Sequence, residues 1–352
     1  MRFLFWGILI LLVFVRILSV KTDYPQGKKV RVTAKVRQEP TKYQYFQKII
    51  IEGLKVYLPL YPEISYGDKV VVEGIVKDKK LDNAKLISLY KSQGLFSKTR
   101  EKIINFYQKS FPDPHASLLA GITLGSRVGM SGDFWDSLVK TGLAHVVVAS
   151  GSNVSLVGGF LVGVLTLFFS RRRVIPLILA GIWFYAVLAG FDAPIVRAAI
   201  MGSIAFSAQE LGKLSSAWRA LALTGLVMLI FRPEWIADIG FILSFVATGS
   251  LLLFQARIGN FLKAVPGILR EGLSTSLAAQ IGVTPILFVT FGQFNILSPL
   301  VNALILWTVP LIMAISGVSG IVGLLIPSFA RLILYLAYPL TAWFIFVVRI
   351  FS

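Results

Sequence analysis

Residues 236–254 read IADIGFILSFVATGSLLLF, nineteen residues with a single charge, Asp238. Wound as a helix at 1.5 Å per residue they are about 28 Å long, close to the hydrocarbon thickness of a bilayer. That length and composition belong to a membrane span. Stretches of the same kind recur at 145–169, 174–191, 195–211, 217–231, 273–291, 296–313 and 331–350, and 314–326 is a further candidate. Segments 115–130 and 134–149 read as shallow helices or a hairpin. The expectation is about seven to ten spans.

Composition agrees. The 352 residues are 56% hydrophobic and 15% charged, with a mean hydropathy of +0.76. A soluble domain is less apolar and more highly charged. Lys and Arg number 35 against 17 Asp and Glu, a net charge of +18 that favours polyanions or anionic lipid. The absence of Cys excludes disulfides, thiolate metal sites and Cys nucleophiles. With two His, His115 and His145, and no HExxH pattern, a His-rich metal cage is excluded and zinc hydrolysis disfavoured.

Outward from the spans, the chain changes character twice. Residues 3–20, FLFWGILILLVFVRILSV, form an apolar stretch interrupted by Arg16. The following KTDYPQG holds no small-x-small cleavage site, so an uncleaved anchor over 1–20 is preferred to a signal peptide. Residues 21–97 alternate polar and apolar with period two, as in Val30, Val32, Ala34 and Val36 between Arg31, Thr33, Lys35 and Arg37. Turns at Glu52-Gly53 and Tyr66-Gly67-Asp68 divide five short strands, which suggests a small barrel of OB type; a small sandwich fits nearly as well. Residues 98–114 mix Ile103, Ile104, Phe106, Tyr107 and Phe111 with Lys98, Arg100, Lys102 and Lys109. They read as a basic amphipathic helix in the membrane interface, ended by Pro112 and Pro114. The expected organisation is an anchor (1–20), a basic extracytoplasmic domain (21–97), amphipathic and shallow helices (98–144) and a multi-helix transmembrane domain (145–352). This is a polytopic α-helical membrane protein with a small OB-like β-barrel outside the cytoplasm.

Basic residues orient it. Arg171, Arg172, Arg173, Lys213, Arg219, Arg257, Lys263 and Arg270 fall in alternate loops, while the intervening loops hold Asp192, Arg232 and Glu234. The first set is cytoplasmic by the positive-inside rule, which places 21–97 outside. The flanks of the first helix, with Arg2 facing Arg16, Lys21 and Lys28, argue the other way but less consistently.

Residues 21–100 carry 17 Lys and Arg against 8 Asp and Glu, a net of +9. Tyr43, Tyr45, Phe46, Tyr57, Tyr61 and Tyr66 are interleaved with them. Bases can stack on such rings while Lys and Arg meet phosphates. The candidates for binding DNA are Lys28, Lys29, Arg31, Lys35, Arg37 and Lys48 with Tyr43 and Tyr45. The competing readings are rings in a core beneath solvated lysines, or a face for anionic lipid.

Within the spans, polar residues gather in four places. GLAHVVVASGSN (142–153) places His145, Ser150 and Asn153 at the start of an apolar run. Gly and Ser there either interrupt the helix toward a polar cavity or allow close packing, with His145 bonded to a backbone carbonyl. On one helix His145 and Ser150 lie roughly 140° apart. The G-x-S-G frame of intramembrane serine proteases also needs Gly where Val148 stands, so proteolysis is disfavoured. Arg197, charged inside an apolar segment, costs at least about 2.5–3.5 kcal/mol at bilayer depth. It is expected to face a wet interior or to pair with Asp192 or Asp238. Ser244, Thr248 and Gly249 form a small polar stripe, and Gln280, Thr284 and Asn302 are polar near the helix breakers Pro285 and Pro299.

Taken in order, these stretches resemble a known family. LLAGITLGSR (118–127), GLAHVVVASGSNVSLV (142–157), APIVRAAIM (193–201), DIGFILSFVATGSL (238–251) and TPILFVTFGQFNILSPLVNALI (284–305) are similar to the ordered motifs of the ComEC-type competence family, DNA-uptake channels of the bacterial inner membrane. YGDKVVVEG (66–74) resembles its OB-like outer domain. Ala149 replaces a frequent Ile or Leu, and Ser152-Asn153 a frequent hydrophobic-His pair. Many members carry a further C-terminal metallo-β-lactamase-like domain that this sequence lacks, so nuclease activity is not expected here. The resemblance implies a multi-pass channel of the inner membrane that passes single-stranded DNA inward during natural transformation. Its outer domain would bind the strand, and His145, Ser150, Asn153, Arg197, Asp238, Ser244, Gln280 and Asn302 would line the path. It implies no catalysis and no cofactor or metal. The expected partners are a DNA-receptor protein, a separate nuclease and a cytoplasmic helicase or ATPase, since the chain has no GxxxxGK[ST] loop. The rival readings are a membrane enzyme or small-anion transporter using Arg197 and Asp238, or a scaffold that recruits partners.

Overall fold

In the computed structural model, which describes residues 2–19, 24–36, 40–42, 45–78, 80–92, 94–148, 150–210, 212, 216–291 and 295–352, the alternating segment folds as one sheet. Its strands are β1 (Lys29–Lys35), β2 (Thr41–Lys42), β3 (Phe46–Ile51), β4 (Leu54–Pro59), β5 (Lys69–Lys77) and β6 (Lys80–Tyr90). Alternate residues point to one face and bury Val32, Ala34, Ile49, Ile51, Val56, Leu58, Val70, Val72 and Leu81 in a common core. The β3–β4 hairpin closes through Glu52 (φ 46°) and Gly53 (φ 80°), a two-residue turn that needs left-handed backbone. Gln47 is fully buried. Its Nε2 donates to Pro59 O (2.7 Å) and Pro62 O (2.9 Å) and its Oε1 accepts from Ile64 N (3.1 Å), which ties down the chain after β4.

The strand order is β1-β5-β6-β4-β3-β2, with β4 and β6 parallel and the other pairs antiparallel. β1 and β2 are the two ends of that order, so the expected closed barrel is corrected to an open sheet. Within the sheet the weakest seam is the parallel one: β4 and β6 bond only at Lys55↔Lys80 and Val56↔Leu81 and then part.

Helices make up the rest: α1 (Arg2–Ser19), α2 (Leu95–Ser110), α3 (His115–Leu124), α4 (Gly132–Lys140), α5 (Ala144–Val147), α6 (Gly151–Leu165), α7 (Arg171–Leu188), α8 (Ala193–Glu210), α9 (Ala217–Phe231), α10 (Ile239–Phe261), α11 (Gly267–Phe291), α12 (Ser298–Ile305), α13 (Thr308–Gly323), α14 (Pro327–Tyr335) and α15 (Tyr338–Phe351). A 3-10 turn at Pro233–Ala237 precedes α10. Of these, α10 and Leu269–Thr290 within α11 are long and apolar enough to cross a membrane. The pairs α12–α13 and α14–α15, bent by 47° and 51°, raise the number to four if each is one span. Among the described residues that is fewer than the seven to ten expected, and some apolar runs are cut short by breaks. The run expected to be continuous over 145–169 is one of them: Val148 and Ser150 are extended, so α5 ends and α6 starts afresh at Gly151.

The centre of the core is α3, with nine of its ten residues buried. Gly125 (φ 70°) ends it in the left-handed region, and its N–H returns to Gly121 O (2.7 Å). Helix α2 spends its apolar face on protein. Ile103, Ile104, Phe106 and Tyr107 are buried, and the helix packs on α3, α7, α13 and α14.

Candidate nucleic-acid interface and bundle interior

The last carbonyls of any helix lack partners within it. In α3 three consecutive ones are satisfied by three different elements. Asn153 Nδ2 of α6 donates to Ile122 O (2.8 Å), the Tyr185 hydroxyl of α7 to Thr123 O (3.1 Å), and Arg100 Nη1 of α2 to Leu124 O (2.6 Å). The same Arg100 nitrogen donates to Leu188 O (2.7 Å) at the end of α7. A guanidinium thus meets the negative ends of two helices, where a cation is stabilising. Its other neighbour is the Tyr66 ring of the sheet domain, 5.5 Å from Cζ. Ser316 Oγ donates to Ile312 O (2.6 Å), so Thr123 Oγ1 is the donor in its 2.6 Å bond to Ser316 Oγ; the Tyr107 hydroxyl donates to Ser316 O (2.7 Å). Sequence reasoning passed over this network. The available signal was an arginine in the stripe Phe96, Arg100, Ile103, Tyr107, whose spacing puts it on the buried face of a helix.

Beside the network lies the break before α6. Ser150 Oγ is 2.7 Å from Ser152 Oγ and donates to Asn153 Oδ1 (3.2 Å). Arg197, one turn into α8, lies against the start of α6: a methyl group on Gly151 would stand 2.5 Å from its Nη2. Among the described residues no carboxylate pairs with Arg197, and its buried Nε has no hydrogen-bond partner. The expected ion pair with Asp192 or Asp238 is therefore corrected. Asp238 instead caps α10, accepting from Phe241 N (2.8 Å), because an N-terminal turn offers unbonded N–H groups. Ser150, Asn153 and Arg197 thus come together around Gly151, with the guanidinium lying against the positive start of α6.

The other expected lining residues are elsewhere. His145 is exposed and its Nδ1 donates to Gly142 O (2.8 Å), the backbone-bonded alternative. Asn302 Nδ2 donates to Ser276 Oγ (2.7 Å) between α11 and α12, leaving its buried Oδ1 bondless. Ser244 on α10 has a buried, bondless Oγ, and Gln280 is half-buried on α11. Among the described residues no three His, Asp or Glu stand together as a metal site.

In the sheet domain Lys29 Nζ lies 2.5 Å, and Arg31 Nη2 2.9 Å, from Glu73. These two bonds hold the Glu73 carboxyl below the usual carboxylate range. Lys28 and Lys35 are exposed, Lys48 is half-buried and Tyr45 is exposed; Arg37 and Tyr43 lie outside the described residues.

The family model described as "Competence protein" matches residues 122–352, from the end of α3 through α15. The chain belongs to the competence protein family. It is 30% identical over 240 residues to ComE operon protein 3 of Bacillus subtilis (strain 168), covering 66% of this chain and 30% of that protein. It is 27% identical over 198 residues to competence protein ComA of Neisseria gonorrhoeae, covering 53% of this chain and 27% of that protein. The chain therefore spans under a third of the length of these relatives. No solved structure matches it. Membership ties the chain to competence, and with its apolar helices points to a membrane protein.

Proposed function

We propose that this competence-family chain is a multi-pass channel of the bacterial cytoplasmic membrane that passes single-stranded DNA inward, with the sheet domain capturing the strand outside. The observation that supports it most is Arg197. A cation without a carboxylate partner, set beside the positive start of α6, has no structural reason to sit within an apolar bundle, whereas a passing phosphate would meet both charges. The basic sheet domain, open rather than closed, resembles the partly open barrels that bind oligonucleotides. The chain itself makes and breaks no bond in this reading. A DNA receptor, a nuclease and a cytoplasmic helicase or ATPase would be separate partners.

Transformation of a strain whose only copy of the gene encodes Arg197→Ala tests the reading. Uptake should fall at least tenfold at unchanged protein level, with partial recovery in Arg197→Lys, since one charge-assisted phosphate contact is worth about 1.5–3 kcal/mol. Undiminished uptake in Arg197→Ala would remove the pore role.

A further inference from the structure

We infer that single-stranded DNA is held on the solvent face of the β3–β4 hairpin rather than along β1; this rests on the proposed capture of DNA by the sheet domain. Register sets that face. Opposite one another stand Phe46 and Pro59, Lys48 and Tyr57, and Ile50 and Lys55, all pointing away from the buried Gln47, Ile49, Ile51, Val56 and Leu58. Rings and ammonium groups therefore alternate along a two-strand ladder. Phe46 and Tyr57 meet edge-on at 5.6 Å and remain 37% and 40% exposed. Neither ring belongs to the buried core of the sheet, and each keeps over a third of its surface open to a ligand.

Charge favours the same face. Lys55 adjoins Lys80 through the parallel pairing, so cations continue onto β6. On β1, by contrast, Lys29 and Arg31 already serve Glu73 and offer less unneutralised charge. The ladder has a direction as well. At the hairpin tip it is bounded by Glu52, whereas its other end runs to Tyr45 and Tyr61, 78% and 82% exposed. There the strands that parted after Val56↔Leu81 leave an open cleft of about 450 Å³, walled by Pro59, Tyr61 and Pro62 on one side and Lys85, Ile87 and Ser88 on the other. Stacking platforms spaced by cations, opening on a cleft, fit a flexible polyanion with flat bases.

The test measures binding of a fluorescent oligothymidylate, across a salt series, to the full chain in detergent. Phe46→Leu with Tyr57→Leu keeps apolar bulk and removes the rings. It should weaken binding about 5- to 150-fold per base unstacked while leaving the salt slope unchanged. Lys48→Gln should reduce that slope by about one. Lys28→Gln with Lys35→Gln should leave the ring dependence intact. Loss in the Lys28/Lys35 variant with none in the ring variant would move the strand to β1 and overturn the face alone. Ring and Lys48 variants that lose anionic-vesicle binding but keep oligothymidylate affinity would assign the face to lipid, which also overturns it. Wild-type chain that binds no oligothymidylate at low salt would sink DNA capture itself, and the face with it.

Discussion

Buried guanidinium groups need acceptors, and Arg100 and Arg197 meet that need in opposite ways. Arg100 finds Leu124 O and Leu188 O, two helix-end carbonyls with no other donor among the described bonds. Replacing it by Met keeps the length and leaves both oxygens unsatisfied, each costing about 1–3 kcal/mol. The thermal midpoint of the Arg100→Met chain in detergent should fall clearly, and Arg100→Lys should restore only part of it, since an ammonium lacks the planar fork. An unchanged midpoint would remove Arg100 from the structural core. Arg197 lacks such acceptors and lies beside a helix start instead. Sequence could show that Arg197 was unusual, because an isolated charge in an apolar run is visible. It could not show the partner: Asp238 was equally plausible until the need of α10 for an N-cap claimed its carboxylate.

At the scale of elements, the strands were legible and the helix breaks were not. Each strand has one wet face, so its alternation is written in the residues, and the β3–β4 turn announces itself through Glu52-Gly53. Sheet closure was not written, because whether the end strands β1 and β2 meet depends on packing and not on alternation. The helices are apolar nearly all round, so nothing in their pattern distinguishes a straight rod from the bent pairs α12–α13 and α14–α15. Helix α3 shows what such breaks require. Its buried carbonyl end, without partners inside the helix, is a cost that Asn153, Arg100 and the Tyr185 hydroxyl offset. Tyr185→Phe removes the hydroxyl that donates to Thr123 O and keeps the ring, so the chain should lose about 1–3 kcal/mol of stability in unfolding by denaturing detergent. A loss near zero would mean that Thr123 O finds another donor.

For the molecule as a whole, the sheet domain and the turn after α7 belong to one side. Tyr66 lies 3.9 Å from where a methyl group on Gly190 would sit, and Arg100 joins the same ring to the end of α7. The basic start of α7, Arg171–Arg173, is at the opposite end of that helix, the end that the positive-inside rule would make cytoplasmic. A chain without Cys makes this easy to check. A thiol at Tyr61→Cys should react with an impermeant maleimide added to intact cells, whereas one at Ser170→Cys should react only after permeabilisation. The reverse pattern would invert the molecule and with it the assignment of the sheet as the capturing part.

The shortness of α3 has one more consequence. Ten residues make a stub about 15 Å long, half a bilayer's oily interior. Lipid cannot hold so brief a rod in place, so its position is dictated by neighbours that grip its tip from three directions. The sheet domain touches one of those grips directly, through the Tyr66 ring lying over Arg100. The seat of this stub is therefore shared between the bundle and the sheet, and a change at that ring should be felt at its tip.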